Sequence, residues 1–185
     1  MHYDIEWLKN KATANESLKF LYFWGHTNKL NDAAGKFCFS QWYESPFVVD
    51  EVTYKTAEHW MMAKKALLFG DLEIFEKIVI SEKPGEVKDL GRRISGFNDE
   101  IWTAERYKIV KTGNLHKFNQ HPELAKYLLS TGPRILVEAS PVDYIWGIGM
   151  AQDHIDVSNP AKWLGLNLLG FALMEVRDLL VNQHQ

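Results

Sequence analysis

Cysteine is almost absent from this chain: Cys38 is the one thiol among 185 residues. That excludes an intrachain disulfide framework and points to a reducing setting. No apolar run approaches the roughly 20 residues that cross a bilayer, so no membrane partner is expected. The Met1–Asp4 start lacks a charged-then-apolar export pattern, and a cytoplasmic protein is the expectation. Charge of one sign is not in excess either. The 21 basic and 24 acidic residues leave a net charge of −3, which argues against a surface that embraces nucleic acid as a whole. The basic residues between Lys88 and Arg134 read as a solvated helix surface. Gly147-x-Gly149 has no third glycine and no helix start at the right distance, so it is no dinucleotide fingerprint. Asp153-His154-Ile155-Asp156 has metal-ligand residue types, but no second histidine at helical spacing and no cysteine partner. Neither a metal nor another cofactor is expected.

What is present is a chain of ordinary globular composition, 46% hydrophobic and 24% charged, with an unusual 7 tryptophans. Trp42, Trp60, Trp146 and Trp163 stand beside polar or charged residues. Singly each suits packing, whereas as a set they suit an aromatic-lined pocket for a flat ring. There is no repeat, low-complexity tract or linker. The chain therefore reads as a polar leader over 1–15, with loose helical character, followed by one domain over 16–185.

Leu18–Trp24, Phe37–Tyr43 and Arg134–Ala139 read as strands, with Phe47–Val49 and Val52–Tyr54 as a hairpin or bulged pair around Asp50-Glu51. Thr56 caps a predicted helix over 57–69 that ends at Gly70, and Asp71 caps another through Ile80. Pro84 opens a third, through Leu90. Asn98 or Asp99 caps a long helix over Ile101–Phe118 that Gly113 weakens. Pro122 opens a short helix, and Leu168–Leu180 forms the last. Many helices and few strands, not in strict alternation, make this an α+β fold, a mostly helical compact domain with a small sheet.

Two constellations carry chemistry. On the predicted helix after Thr56, Glu58 and Lys65 stand seven residues apart, nearly two turns, and so share a side. Trp60, Met61, Met62, Ala63 and Ala66 leave that helix little polar surface, so a glutamate and a lysine there need a reason. A structural ion pair and a catalytic acid/base pair are equally open. His59 points elsewhere and reads as a hydrogen-bonded, satisfied histidine. The second constellation is Asp143-Tyr144-Ile145-Trp146-Gly147-Ile148-Gly149 with Asn167-Leu168-Leu169-Gly170. It sets a carboxylate, a wide aromatic face and two glycines within seven residues, as a site for a flat ring requires. Glu138 at a strand end is a third acidic candidate. Arg92 suits a phosphate as well as it suits a helix end.

Phe39-Ser40-Gln41-Trp42, Glu58-His59-Trp60 with Lys65, Leu90-Gly91-Arg92, Leu136-Val137-Glu138, Asp143-x-x-Trp146-Gly147-x-Gly149 and Asn167-x-Leu169-Gly170 with Leu173–Arg177 occur in one ordered series. This series resembles the YbiA-like, or NADAR, family across about residues 20–180, nearly the whole chain. The chain departs from it at Met62 and Gln41 and in the long stretch after Gly149. The resemblance implies a hydrolase of ribose N-glycosidic bonds. It acts either on ribosylaminopyrimidine phosphates of riboflavin synthesis or another ribosylated, NAD-derived metabolite, or else on ADP-ribosylated guanine. It also implies that Lys65 attacks the anomeric carbon by a Schiff-base route. With it, Glu58 or Asp143 moves the proton and Trp146 and Trp42 stack on the base. Asn167 meets ribose hydroxyls, while Glu138, Arg92 and the close backbone at Gly147 and Gly149 complete substrate binding. The partner expected is a nucleotide-like small molecule. A hydrolase on nucleic acid and a non-catalytic module for NAD or ADP-ribose are the alternatives. Oligomeric state is not legible.

Overall fold

The computed structural model describes residues 2–28 and 31–183. In chain order its regular elements are α1 (Ile5–Thr13), β1 (Phe20–Phe23), β2 (Phe47–Val49), β3 (Val52–Tyr54), α2 (Ala57–Leu68), α3 (Leu72–Ile80), α4 (Pro84–Gly91), α5 (Asp99–Gln120), α6 (Pro122–Ser130), β4 (Ile135–Glu138) and α7 (Leu168–Gln183). The fold is α+β and mostly helical, as the sequence implies, with two small sheets. No described helix is long and apolar enough to cross a membrane.

The chain divides into two compact units, one of residues 1–40 with 122–185 and one of residues 41–121. In the first, β1 and β4 pair in parallel from Phe20 with Ile135 to Phe23 with Glu138, and α7 packs against β4. Strand β4 is apolar on both faces, with Ile135, Leu136 and Val137 all buried, as a short strand covered by other elements must be. The predicted strand over Phe37–Tyr43 is instead a 3-10 turn over Lys36–Phe39. Its aromatics do not alternate: Cys38 and Phe39 are buried side by side. Phe39 sits between Phe23 and Tyr127, at 5.4 Å from each ring. The backbone closes on itself there, with Cys38 N donating to Gly35 O at 3.0 Å and Ser40 N to Phe37 O at 3.2 Å, so these groups do not enter a ladder.

In the second unit, β2 and β3 form an antiparallel hairpin with Val49 opposite Val52. Asp50 and Glu51 both take positive φ, 50° and 64°, the combination a two-residue turn needs to follow the strand twist. Gln120 at the end of α5 anchors the hairpin, accepting from Val48 N and donating to Val48 O, both at 2.9 Å. The predicted caps form: Thr56 Oγ1 accepts from His59 N, Asp71 from Ile74 N and Asn98 from Ile101 N. Helix α2 is the hub and packs on α3, α4 and α5.

Gly113 does not weaken α5 so much as admit the Trp60 indole. A Cβ there would meet Trp60 Cδ1 at 2.3 Å, and the ring is held by Nε1 donating to Ile109 O at 2.8 Å. In an open helix, Gly→Ala gains about 1 kcal/mol. Here Gly113→Ala is expected to lose about 1–3 kcal/mol through overpacking, read from urea unfolding midpoints. Combination with Trp60→Leu should recover part of that loss.

Candidate active site

Helix α2 positions Glu58 in its first turn and Lys65 in its last. Glu58 is only 4% exposed, and its backbone N–H donates to Gln41 O at 2.9 Å. The Gln41 side chain is fixed in turn by Asn114, whose Nδ2 donates to Gln41 Oε1 at 2.8 Å and to Val110 O at 2.9 Å. Because Val110 O can only accept, the Asn114 amide has one orientation, and that of Gln41 follows. Among the described residues, Gln41 Nε2 and Asn114 Oδ1 are left buried without hydrogen-bond partners. Each such atom costs about 1–3 kcal/mol, a polarity that a plain core would not retain.

Lys65 is half-buried, as the apolar company on α2 implies. Its Nζ donates to Gly91 O at 2.8 Å and lies over the rings of Phe97 at 4.3 Å and Trp102 at 5.4 Å. Burial lowers its pKa from the ordinary lysine value, and the Asp99 carboxylate partly opposes that. The charge acting against the shift is that of Asp99. Lys64, the neighbouring cation, lies over the Trp60 ring at 4.5 Å. The tight approach of α4 depends on Gly91, where a Cβ would collide with Met62 Sδ.

His59 is the satisfied histidine expected. It is fully buried, with Nε2 3.2 Å from Ser81 O and Nδ1 2.8 Å from Thr56 Oγ1. Ser81 O can only accept, so Nε2 carries the proton and Nδ1 accepts from the threonine. In the same unit, Trp42 is half-exposed, with Lys88 5.9 Å over its ring. Arg92 is exposed and donates to Asp89 Oδ1 at 2.8 Å, so its guanidinium is engaged at the end of α4.

The other unit holds the loop residues. Glu138 ends β4 and is partly buried. Asp143 Oδ1 accepts from Ile145 N at 2.9 Å and Trp146 N at 2.7 Å, which fixes one carboxylate oxygen and leaves Oδ2 outside that turn. Trp146 is half-buried. Gly147 lies against Glu138 O, where a Cβ would stand at 2.9 Å, and Gly149 has φ +68°; both demand glycine. Asn167 is fully buried. Its Nδ2 donates to Leu136 O at 2.9 Å and its Oδ1 accepts from Glu138 N at 3.0 Å. Where the sequence suggested a contact to ribose hydroxyls, the amide is committed to the backbone of β4. Elsewhere, His154 Nδ1 accepts from Asp156 N at 3.1 Å, and the Asp156 carboxylate accepts from Lys162 at 2.7 Å.

Sequence reasoning did not find the lining of Lys65. Phe97, Trp102 and the Gly91 carbonyl come from three separate places in the chain, and no local pattern relates them. It singled out Gln41 only as a departure from the family pattern, without its pairing to Asn114.

A buried carboxylate and a half-buried lysine lie on one helix of an α+β fold, in a chain that also carries a carboxylate-and-tryptophan loop fixed by backbone hydrogen bonds. Residues 22–181 match the model of the NADAR domain, and the chain belongs to the NADAR domain family. It is 45% identical over 169 residues to an N-glycosidase of Acanthamoeba polyphaga mimivirus, covering 88% of this chain and 97% of the relative. It is 32% identical over 142 residues to N-glycosidase YbiA of Shigella flexneri serotype 5b, covering 77% of this chain and 80% of that one. The NMR structure of the E. coli protein YbiA superposes with a TM-score of 0.72 at 28% identity, covering 90% of this chain and 87% of that chain.

Two measurements check these assignments. His59 is pushed below the ordinary histidine pKa, first by burial. The unfolded chain then binds the proton more readily, so the stability His59 contributes is present above about pH 6.5 and lost as pH falls through the folded pKa. Unfolding midpoints of the native chain should therefore fall from about pH 7 to about pH 5 more steeply than those of His59→Gln. Asn167→Asp sets a carboxylate oxygen against Leu136 O and should cost about 2–5 kcal/mol of stability. A residue that touched only ligand would lose activity at unchanged stability.

Proposed function

We propose that this protein is an N-glycosidase that hydrolyses the bond between ribose and a nitrogen base in a small ribosylated metabolite, with Lys65 as the nucleophile. The observation that carries the reading is the Lys65 environment: an amine between two aromatic rings whose pKa burial lowers, in a chain of a family with named N-glycosidases. A lysine attacks only as the free amine, and desolvation is a standard means of releasing it.

In the proposed reaction the Lys65 amine attacks the anomeric carbon. The C–N bond breaks, and its electron pair goes to the leaving nitrogen, which takes a proton from Glu58 or Asp143. Positive charge grows on the sugar in an oxocarbenium-like transition state. The sugar–lysine adduct opens to a Schiff base, and water hydrolyses it to free sugar and the original amine. The balance is one water consumed for one glycosidic bond broken. Trp146 and Trp42 are assigned to the departing base. Asn167 is assigned as a positioning residue that holds the end of β4 and the Asp143 loop. A cytoplasmic setting and ribosylaminopyrimidine phosphates of riboflavin synthesis are the proposed context, supported by the family resemblance and by the net charge of −3, which disfavours a nucleic-acid substrate.

The test is incubation with ribosylaminopyrimidine phosphates, NAD, ADP-ribose and ADP-ribosylated guanine in the presence of sodium borohydride, followed by peptide mass mapping. Base release with a reduced sugar adduct on Lys65 is the expected result. Adduct yield should rise with pH and reach half its limit below the free lysine pKa of about 10.4, because burial depresses this amine. Base release without any adduct would replace the Schiff base by direct water attack, and full activity in Lys65→Met would remove the nucleophile. Of Glu58→Gln and Asp143→Asn, the variant that lost the proton donor should regain turnover on a substrate with a more acidic leaving group. Release from ADP-ribosylated guanine alone would move the substrate to nucleic acid.

A further inference from the structure

None of the residues assigned to the reaction lines a cavity of about 480 Å³ in the first unit, a volume within the range of small-molecule sites. One wall is α7, through Met174, Arg177 and Asp178. The facing wall is the N-terminal segment, through Tyr3, Trp7 and the stretch from Glu16 to Lys19. That segment lies before residues 22–181, the range that the family model matches. The wall is fixed in place: His2 N donates to Glu175 Oε1 at 2.6 Å, and Tyr3 Oη donates to Asp178 Oδ2 at 2.7 Å. Burial and the Asp178 contact push the Tyr3 phenol up to about 12, so it stays a donor.

Arg177 is 6% exposed. Its Nη1 uses both protons, donating to Thr131 Oγ1 and Arg134 O, each at 2.9 Å. Among the described residues, Nε and Nη2 make no further hydrogen bond and the guanidinium forms no ion pair. Burial destabilises the Arg177 charge and the nearby Asp178 carboxylate opposes that without forming an ion pair, while the guanidinium edge defined by Nε and Nη2 is the fork that carboxylates and phosphates fill. Of the acids in the lining, Glu16 is paired with Lys11 at 2.6 Å, and Asp178 accepts from Tyr3 through Oδ2 while its charge also acts on Arg177. With Lys19 the lining holds three cations against two carboxylates. Trp7 adds a half-buried aromatic surface.

We infer that this cavity is a second ligand site, separate from the glycosidase residues. It would take a small molecule with a phosphate or carboxylate group, bound by the Nε–Nη2 edge of Arg177, and a flat apolar portion against Trp7. The test follows the Arg177 Nε–H and Trp7 indole N–H resonances of the full chain during titration with phenyl phosphate, benzoate and benzyl alcohol. Saturable shifts of both signals with either anion are expected, and none with the alcohol; the stronger anion identifies the group. Trp7→Leu and Lys19→Glu leave the bonds of Arg177 intact, and each should weaken binding by about tenfold or more, while Lys65→Met should leave it unchanged. Absence of a saturable shift, equal binding of the alcohol, or binding indifferent to Trp7→Leu and Lys19→Glu would overturn the site.

Discussion

The side-chain amide of Asn167 holds the end of β4, the start of α7 and the Asp143–Gly149 loop in one arrangement. An amide carries one acceptor and one donor group, as a peptide unit does, and Asn167 presents them to Glu138 N and Leu136 O as a neighbouring strand would. Its backbone continues the clamp, with Asn167 N donating to Gly147 O and Leu169 N to Trp146 O. The residue must also adopt φ +54°, a left-handed conformation that asparagine tolerates better than most side chains. Gly170 completes the constraint, since a Cβ there would stand 2.1 Å from Leu136 O. The Asx turn at Asp143 and the close backbone at Gly147 follow from this fixed frame. A carboxylate on such a loop has little freedom left to lose when a ligand arrives.

A comparable constraint governs the second unit, through missing side chains. Gly91 lets α4 approach the Met62 side of α2, and Gly113 lets α5 approach the Trp60 side. Helix α2 is thereby enclosed by its neighbours, and Ala57 through Ala63 are all buried. Enclosure is what places Lys65 beside a carbonyl of α4 and the rings of Phe97 and Trp102. The chemistry of the amine is a consequence of helix packing.

Most of this was legible where the signal is local. The caps at Thr56, Asp71 and Asn98 and the hairpin at Asp50-Glu51 depend on near neighbours in sequence, and each is found. The Phe37–Tyr43 segment was misread because aromatic content favours strands, while the paired burial of Cys38 and Phe39 is set by Phe23 and Tyr127. Asn167 was read as a ligand contact for a similar reason: a polar residue beside glycines looks available until β4 is in place. Its partners, Leu136 and Glu138, lie about thirty residues away. The Arg177 cavity joins the two ends of the chain, and no spacing rule reaches that far.

Four influences act on Lys65, and three favour its charged form. The Gly91 carbonyl accepts its proton, the faces of Phe97 and Trp102 attract a cation, and Asp99 adds opposite charge. Only desolvation favours the neutral amine, and it nonetheless sets the direction of the shift. The neutral form of this lysine therefore depends on exclusion of water. Any apolar surface that covers the amine would strengthen desolvation, whereas an opened helix packing would hand the balance to the other three. Gly91 matters on both counts, since it supplies the carbonyl and permits the close packing that keeps water away.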